Sequence, residues 1–156
     1  MTRYLLDTNI PLYLEYPESP FHAKVLEQFR HLDDHDEVFF SVLSLYELYY
    51  GAQSRLNMLE AKLASLSKGF IRDMVEKFQM VSLSEAGASA FGTLKVAYKT
   101  ASLTKVSQKG NIKKHDVDLM IASLAVAHNM VVVSNDRIFI VLQALEPKLM
   151  VENWAV

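Results

Sequence analysis

Three aspartates stand where this sequence could bring carboxylates into one cleft. Asp7 directly follows the apolar run Tyr4–Leu6. Asp136 comes shortly after Met130–Val133, a run rich in β-branched residues. Asp118 opens a stretch in which nearly every residue is apolar, as in a helix that is covered on most sides. Because ligands of open α/β sheets bind beyond the carboxyl ends of the strands, and unpaired buried carboxylates are costly, we expect the three acids to converge where the core meets a cleft.

Glu47 is a fourth candidate acid, within the segment from Ser41 to Gly51. Ser44-Leu-Tyr-Glu47 also matches a helix capping box, in which the glutamate bonds back to the helix entrance. One carboxylate oxygen cannot serve both purposes fully. In the company of the three aspartates, Glu47 is interpreted as a metal ligand or as the group that orients a water molecule.

Carboxylates crowded together repel one another, and they are stabilised by sharing a proton or by binding a cation. Oxygen-only ligands suit Mg²⁺ or Mn²⁺, which would leave positions for water and for phosphate oxygens of a substrate. Such a metal polarises a phosphate, lowers the pKa of an attacking water and steadies the leaving oxygen. We predict Asp7 and Asp118 as direct ligands, and Asp136 as a ligand either directly or through water. Four acids permit one metal or two, and the sequence does not choose between them.

Polar residues next to these acids could fix the carboxylates or contact phosphate; they are Thr8, Asn9, Ser134 and Asn135. Turn and cap chemistry explains the same four residues equally well. Asp116 lies two residues before Asp118, so that on a helix its side chain points elsewhere. Asp116 or His115 is expected to cap the helix that carries Asp118, and we interpret Asp116 as a cap.

The composition is that of one ordinary globular domain spanning residues 1–156. Hydrophobic residues make up 51% of the chain and the formal net charge is −2, which argues against a disordered chain. No apolar run approaches the roughly 20 residues of a membrane span, and no basic segment precedes the N-terminal apolar patch as in a signal peptide. Cysteine is absent, which excludes disulfides and thiolate metal sites. These features fit a cytoplasmic protein.

Positive charge is concentrated in one part of the chain, which we call the basic stripe. Between Lys95 and His115 there are six lysines and no acidic residue. Such a stripe attracts a polyanion even on a protein of net negative charge, although a solvated helix face explains the charges as well. Beside an acidic site we favour contact with a polyanion, and the candidates for it are Lys105, Lys109, Lys113 and Lys114.

Helices alternating with short apolar strands indicate an α/β fold with a mostly parallel sheet. The predicted strands are Tyr4–Leu6, Val38–Phe40, Val81–Leu83, Met130–Val133 and a final edge strand at Leu149–Val151. Asn129 is the expected end of the helix that Asp118 opens, because asparagine tolerates the left-handed conformation. We expect residues 57–78 to form one long helix or a helical pair broken near 67–69. The segment Arg137–Leu142 is ambiguous between helix and strand.

The order and spacing of these pieces resemble the PIN-domain ribonucleases, in particular the toxins of VapC-type toxin–antitoxin pairs. The resemblance spans almost the whole chain and rests on five pieces in order: Leu6-Asp7-Thr8-Asn9, Ser41 to Gly51 with Glu47, Asp118-Leu119-Met120-Ile121-Ala122, Val133-Ser134-Asn135-Asp136 and Val151-Glu152-Asn153-Trp154. Each piece alone is a weak signal, whereas all of them in this order are specific. Ser134 stands where the family commonly has threonine, which is a mild change.

The resemblance implies a compact three-layer α/β/α sandwich and Mg²⁺- or Mn²⁺-dependent hydrolysis of RNA phosphodiester bonds. It implies that the catalytic acids are the residues matching the family's four acidic positions, namely Asp7, Glu47, Asp118 and Asp136. It also implies a homodimer and a cognate antitoxin protein that blocks the site. Of the basic stripe, Lys105, Lys109, Lys113 and Lys114 would then bind the RNA substrate.

Two other classes of function are open to this sequence. A nuclease-like scaffold that binds RNA or protein without cutting would keep the fold and the basic stripe, but it would not need four acids. A phosphoryl-accepting domain also has an aspartate after its first strand. However, Asp7-Thr8-Asn9 lacks the second nearby aspartate of such phosphatases, and a receiver domain would carry its phosphorylated aspartate on a later strand. We therefore favour the nuclease.

Overall fold

Five strands form one sheet in the computed structural model, which describes residues 1–57, 61–103 and 115–156. The strands are β1 (Arg3–Leu6), β2 (Glu37–Ser41), β3 (Gln79–Val81), β4 (Val131–Val133) and β5 (Met150–Glu152). They lie in the order β3-β2-β1-β4-β5, and every neighbouring pair is parallel. The predicted parallel sheet is confirmed, and β5 is the expected edge strand. β3 begins two residues before the segment predicted for it, and β5 begins one residue later than predicted.

Helices separate these strands along the chain. Those within the described residues are α1 (Asn9–Glu15), α2 (His22–Arg30), α3 (Val42–Asn57), α4 (Ala61–Lys77), α5 (Glu85–Leu103), α6 (Asp116–His128) and α7 (Arg137–Leu145). None of them has the length and apolar character needed to cross a membrane. The helix-rich connections are what parallel strands require, since a parallel pair cannot be joined by a tight turn.

Side chains that alternate along the central strand β1 enter two separate cores. Leu5 belongs to a core with residues of α5, α6 and α7, such as Leu94, Leu119 and Phe139. Leu6, on the opposite face, belongs to a second core built with residues of α1 to α4. Both leucines are fully buried, as expected of a parallel strand covered on both faces. The predicted three-layer α/β/α sandwich is therefore confirmed.

The strand order changes direction between β1 and β4. After β1 the chain builds β2 and β3 on one side, and β4 and β5 are then added on the other. Leu6 and Val133 are paired at the ends of these two strands, and the amide of Asp7 donates to the carbonyl of Val133 at 3.0 Å. Ligands of open α/β sheets bind at such a switch point. Asp7 and Ser134, the first residues beyond the two strands, stand there.

Helix α6 is the buried helix that the sequence predicts. Its fully or nearly fully buried residues are Leu119, Ile121, Ala122, Ser123, Leu124 and Ala125. Asn129 ends it in the left-handed conformation with φ 52° and ψ 51°, as predicted. Of the two predicted caps, His115 occupies the N-cap position, and Asp116 is the first helical residue. Asp116 instead accepts a 2.9 Å hydrogen bond from Nζ of Lys95 on α5, so its assignment as a cap is wrong.

Close packing between α5 and α6 depends on Gly87. A Cβ atom at this position would lie 2.8 Å from Cδ2 of Leu124, which is closer than van der Waals contact allows. The N-terminus of α5 is held by Ser84, whose hydroxyl accepts from the amide of Gly87 at 3.1 Å, as expected of an N-cap. These contacts set the position of α6, and with it the position of Asp118.

Two local predictions are settled by the packing of the chain. Helix α4 runs unbroken from Ala61 to Lys77, so the break expected near 67–69 is wrong. The ambiguous segment after Asp136 is helix α7, which buries Ile138, Phe139 and Leu142 against the sheet. The segment Lys109-Gly110-Asn111, which the sequence predicts to be a loop, lies outside the described residues.

Candidate active site at the sheet switch point

Asp7 is a buried carboxylate held by two hydrogen bonds at the end of β1. Its Oδ1 accepts from the backbone amide of Thr8 at 2.8 Å, and its Oδ2 accepts from the hydroxyl of Ser134 at 2.8 Å. Only 5% of the residue is exposed. The carboxylate is therefore fixed in orientation by β1 and β4 together.

The pKa of Asp7 is raised from 3.8 to about 6, chiefly because burial disfavours the charged form. The hydrogen bonds from Ser134 and Thr8 oppose this shift and lower the pKa. The negative charges of Asp118 and Glu47 raise it. Three of the four predicted acids thus act on one another electrostatically at the switch point.

Glu47 reaches this site from α3. Its Oε2 accepts a short hydrogen bond from the hydroxyl of Thr8. The capping box is absent, because α3 already begins at Val42 and the buried Ser44 hydroxyl has no partner among the described residues. Ser41 instead provides the hydrogen bond at the start of α3, because its hydroxyl accepts from the amide of Leu43 at 3.0 Å. The glutamate is exposed and turned toward the residue that follows Asp7.

Asp118 lies in the first turn of α6 with 22% of its side chain exposed. Its Oδ2 is 2.8 Å from Nδ1 of His115, three residues earlier in the chain. From the sequence this histidine was predicted only as one of two possible caps of the helix, and its contact with Asp118 was missed. Its spacing was a usable signal, since residues three apart are neighbours on a helix surface.

Asp136 has a different environment from the other three acids. It is exposed, and its Oδ1 accepts from the amide of Ile138 at 3.0 Å, which makes it the N-cap of α7. Its own amide donates to the hydroxyl of Ser134 at 3.0 Å. Asp136 is thus linked to Asp7 through a single serine, while one of its carboxylate oxygens serves the helix.

The polar neighbours serve the local structure in distinct ways. Thr8 and Ser134 bond directly to the acids, as described above. Asn9 is the first residue of α1. The side-chain oxygen Oδ1 of Asn135 accepts a 2.9 Å hydrogen bond from the side-chain amide of Asn153. Asn135 thereby binds the C-terminal segment. This segment is part of the core, since Trp154 is 3% exposed and forms edge contacts with Tyr4 and Phe29.

The RNA-binding candidates Lys105, Lys109, Lys113 and Lys114 lie outside the described residues. Of the basic stripe, Lys95 and Lys99 are described, and Lys99 is exposed. Lys95 pairs with Asp116, and its Nζ lies 5.0 Å from the centroid of the Phe91 ring. The charge of Lys95 is thus paired within the protein.

The donor chemistry of the site fits a hard divalent cation. Asp7, Glu47 and Asp118 supply only oxygen atoms, which is the ligand type that Mg²⁺ and Mn²⁺ prefer. Burial is the main cause of the raised pKa of Asp7, and the charges of Asp118 and Glu47 add to it. A bound cation would offset both effects. In the part of the chain that the structure describes, no three acidic or histidine side chains are already drawn together as a metal centre.

The sequence matches the PIN domain family model over residues 4–145. This match covers most of the chain, and the chain therefore belongs to the PIN domain family. The family predicted from the order of motifs is thus confirmed. No curated protein matches the sequence.

Solved structures with the same fold include chains of toxin–antitoxin complexes. A chain of VapBC2 from Rickettsia felis, solved with a DNA fragment from the promoter, is 25% identical with a TM-score of 0.68, over 98% of this chain and 99% of that chain. A chain of VapBC-1 from nontypeable Haemophilus influenzae is 21% identical with a TM-score of 0.69, over 99% and 100%. A chain of FitAcB from Neisseria gonorrhoeae is 21% identical with a TM-score of 0.68, over 97% of each chain.

Proposed function

We propose that this protein is a divalent-metal-dependent endoribonuclease that hydrolyses RNA phosphodiester bonds. The observation that carries the proposal is the placement of Asp7, a buried carboxylate that Ser134 and the amide of Thr8 hold at the switch point of the sheet. Glu47 bonds to the hydroxyl of Thr8, and the charges of Asp118 and Glu47 act on Asp7. A fold has no need to gather three acids at one cleft, because their repulsion destabilises it. Binding of Mg²⁺ or Mn²⁺ together with a phosphodiester would explain why these acids lie near one another.

In this proposal Asp7 and Asp118 hold the metal directly, and Asp136 holds it directly or through water. When bound, such a metal polarises the scissile phosphate and lowers the pKa of an attacking water. Glu47, exposed beside Thr8, orients that water. Ser134 and the amide of Thr8 keep the Asp7 carboxylate in one orientation, so that its oxygens need no reorganisation when the substrate arrives.

We further propose that the protein is the toxin of a toxin–antitoxin pair. The support is the likeness to chains of VapBC and FitAcB complexes over nearly the full length of each chain. A cognate antitoxin protein would then block the site, the active form would be a homodimer in the cytoplasm, and Lys105, Lys109, Lys113 and Lys114 would contact RNA phosphates. Co-purification of the chain with the product of a neighbouring gene would test the partnership.

The experiment that tests the activity is cleavage of total cellular RNA by the purified protein. It is run with Mn²⁺ or Mg²⁺, with EDTA, and with the variants Asp118→Asn and Asp116→Asn. Asp116 is the matched control, because it lies on the same helix turn but pairs with Lys95. We expect EDTA to abolish the cuts, Asp118→Asn to lower the rate at least about 100-fold, and Asp116→Asn to keep it within about threefold.

The alternatives give different results in the same assay. Equal cleavage by the wild type and Asp118→Asn means that the site is wrong. If the wild type binds RNA and Mn²⁺ but leaves every RNA intact, the fold serves as a binding module. Stable labelling by a phosphate donor, without RNA cuts, indicates a phosphoryl-accepting domain.

A further inference from the structure

The imidazole of His115 is directed at a carboxylate rather than at the backbone of its helix. Nδ1 of His115 lies 2.8 Å from Oδ2 of Asp118. His115 occupies the N-cap position of α6, yet its side chain makes no cap hydrogen bond. The position therefore loses the usual benefit of a serine, threonine or aspartate cap. What His115 provides in its place is a contact with Asp118.

Helix α5 supports the ring of His115 from the side. The ring of Tyr98 meets it edge-on, with centroids 6.3 Å apart and planes at 82°. Tyr98 is buried in the core shared by α5 and α6. Both partners of the His115–Asp118 contact have 22% of their side chains exposed. The imidazole is thus packed between a core tyrosine and the acid, which restricts its rotation.

This arrangement can select one orientation of the Asp118 carboxylate. A hydrogen bond from Nδ1 to Oδ2 engages one oxygen, and it resists rotation of the carboxylate about its χ2 torsion, which is otherwise broad. Partners of this kind commonly orient the carboxylates that bind metals. We propose that His115 is a positioning residue that orients the Asp118 carboxylate for a divalent metal ion. The inference rests on the proposed function, in which Asp118 is a ligand.

A second polar pair joins the same two helices and provides a matched control. Nζ of Lys95 on α5 lies 2.9 Å from Oδ2 of Asp116 on α6. The side chains of this pair are 26% and 34% exposed, close to the values for His115 and Asp118. Lys95 has its charge on Asp116 and not on Asp118. Breaking this pair disturbs the α5–α6 junction without removing the hydrogen bond to Asp118.

The test measures Mn²⁺ binding to the protein without RNA, by electron paramagnetic resonance titration. His115→Phe keeps a packed ring but removes the donor, and His115→Asn keeps a donor near the place of Nδ1. We expect His115→Phe to weaken Mn²⁺ binding about 10-fold, and His115→Asn and Lys95→Met to stay within about threefold of the wild type. A loss that is equal in His115→Phe and His115→Asn, or no loss in His115→Phe, overturns the inference.

A measurement on the wild-type protein tests the contact independently of folding in the variants. Nitrogen-15 NMR of the metal-free protein should show a proton on Nδ1 of His115, and this signal should shift in Asp118→Asn. A ring protonated only at Nε2 overturns the inference. Failure of the proposed function is distinguishable, because the wild type would then cut no RNA, whether or not it binds Mn²⁺. Failure of the inference alone leaves both activities intact and the His115→Phe affinity unchanged.

Discussion

The hydroxyl of Ser134 donates a 2.8 Å hydrogen bond to Oδ2 of Asp7, a residue 127 positions away in the chain. The same hydroxyl accepts from the amide of Asp136 at 3.0 Å. A serine has one donor and two acceptor lone pairs, so both bonds are made at once. A single buried hydroxyl therefore joins the ends of β1 and β4 to the start of α7.

Removing this hydroxyl should destabilise the protein at neutral pH. Ser134→Ala leaves Oδ2 of Asp7 buried without its donor, and the pKa of Asp7 should rise further because that hydrogen bond lowers it. We expect the free energy of unfolding to fall by about 1–3 kcal/mol, measured by urea denaturation. Ser134→Thr keeps the hydroxyl and should lose less than about 1 kcal/mol. Equal urea midpoints for Ser134→Ala and the wild type would contradict the prediction.

The metal-free protein should lose stability as the pH rises through about 6, because Asp7 has a pKa of about 6 when folded and 3.8 as its ordinary value. Between these values the folded state holds the proton more tightly than the unfolded state does. The stabilisation by the protonated form is therefore fully present below the ordinary value and is lost above the folded one. The shift corresponds to about 3 kcal/mol.

Asp7→Asn removes this titration and provides the comparison. Urea unfolding in EDTA, at several pH values from mildly acidic to mildly basic, should show the variant gaining stability relative to the wild type by about 1–3 kcal/mol as the pH rises. Any effect of the asparagine amide on the free energy of unfolding is the same at every pH, so it does not alter how the difference between variant and wild type changes with pH. A difference that does not change with pH would mean that Asp7 titrates normally.

Asp136 should show separate roles in stability and in catalysis. Asn at this position can still accept from the amide of Ile138, the bond that caps α7, so Asp136→Asn should keep the free energy of unfolding within about 0.5 kcal/mol. Its RNA cleavage rate should fall about 10-fold or more, because the negative charge is gone. Asp136→Ala, which also loses the cap, should additionally lose about 1 kcal/mol of stability. If Asp136→Asn cuts RNA at the wild-type rate, the residue is a cap alone.

Local sequence was sufficient wherever one element decides the outcome. The short apolar run before Asp7 predicts a buried strand, because a parallel strand covered on both faces has apolar side chains in succession. Asn129 predicts the end of α6, because its left-handed conformation is a property of the residue itself. Such patterns predicted the α/β class, the parallel sheet and the place of the acids at strand and helix ends.

These local patterns did not predict hydrogen bonds between residues on different helices and strands. The capping box of Ser44 and Glu47 was locally plausible, yet α3 begins earlier and Glu47 turns to Thr8 across the cleft. Asp116 has the residue type of a cap, but Lys95 on another helix binds it. A polar side chain takes the partner that the packed fold brings within reach, and local spacing carries no information about a partner on another element.

The sequence by itself determined the strands, the buried helix and the four acids, because side-chain periodicity and hydrophobicity act over neighbouring residues. Only the tertiary structure decided which acids interact and which groups hold them. Folding places Ser134 within hydrogen-bond distance of Asp7 and His115 within hydrogen-bond distance of Asp118. It also makes Asp136 the N-cap of α7. The reason is electrostatic, since the pKa of a carboxylate depends on the burial and the charges that folding gathers around it.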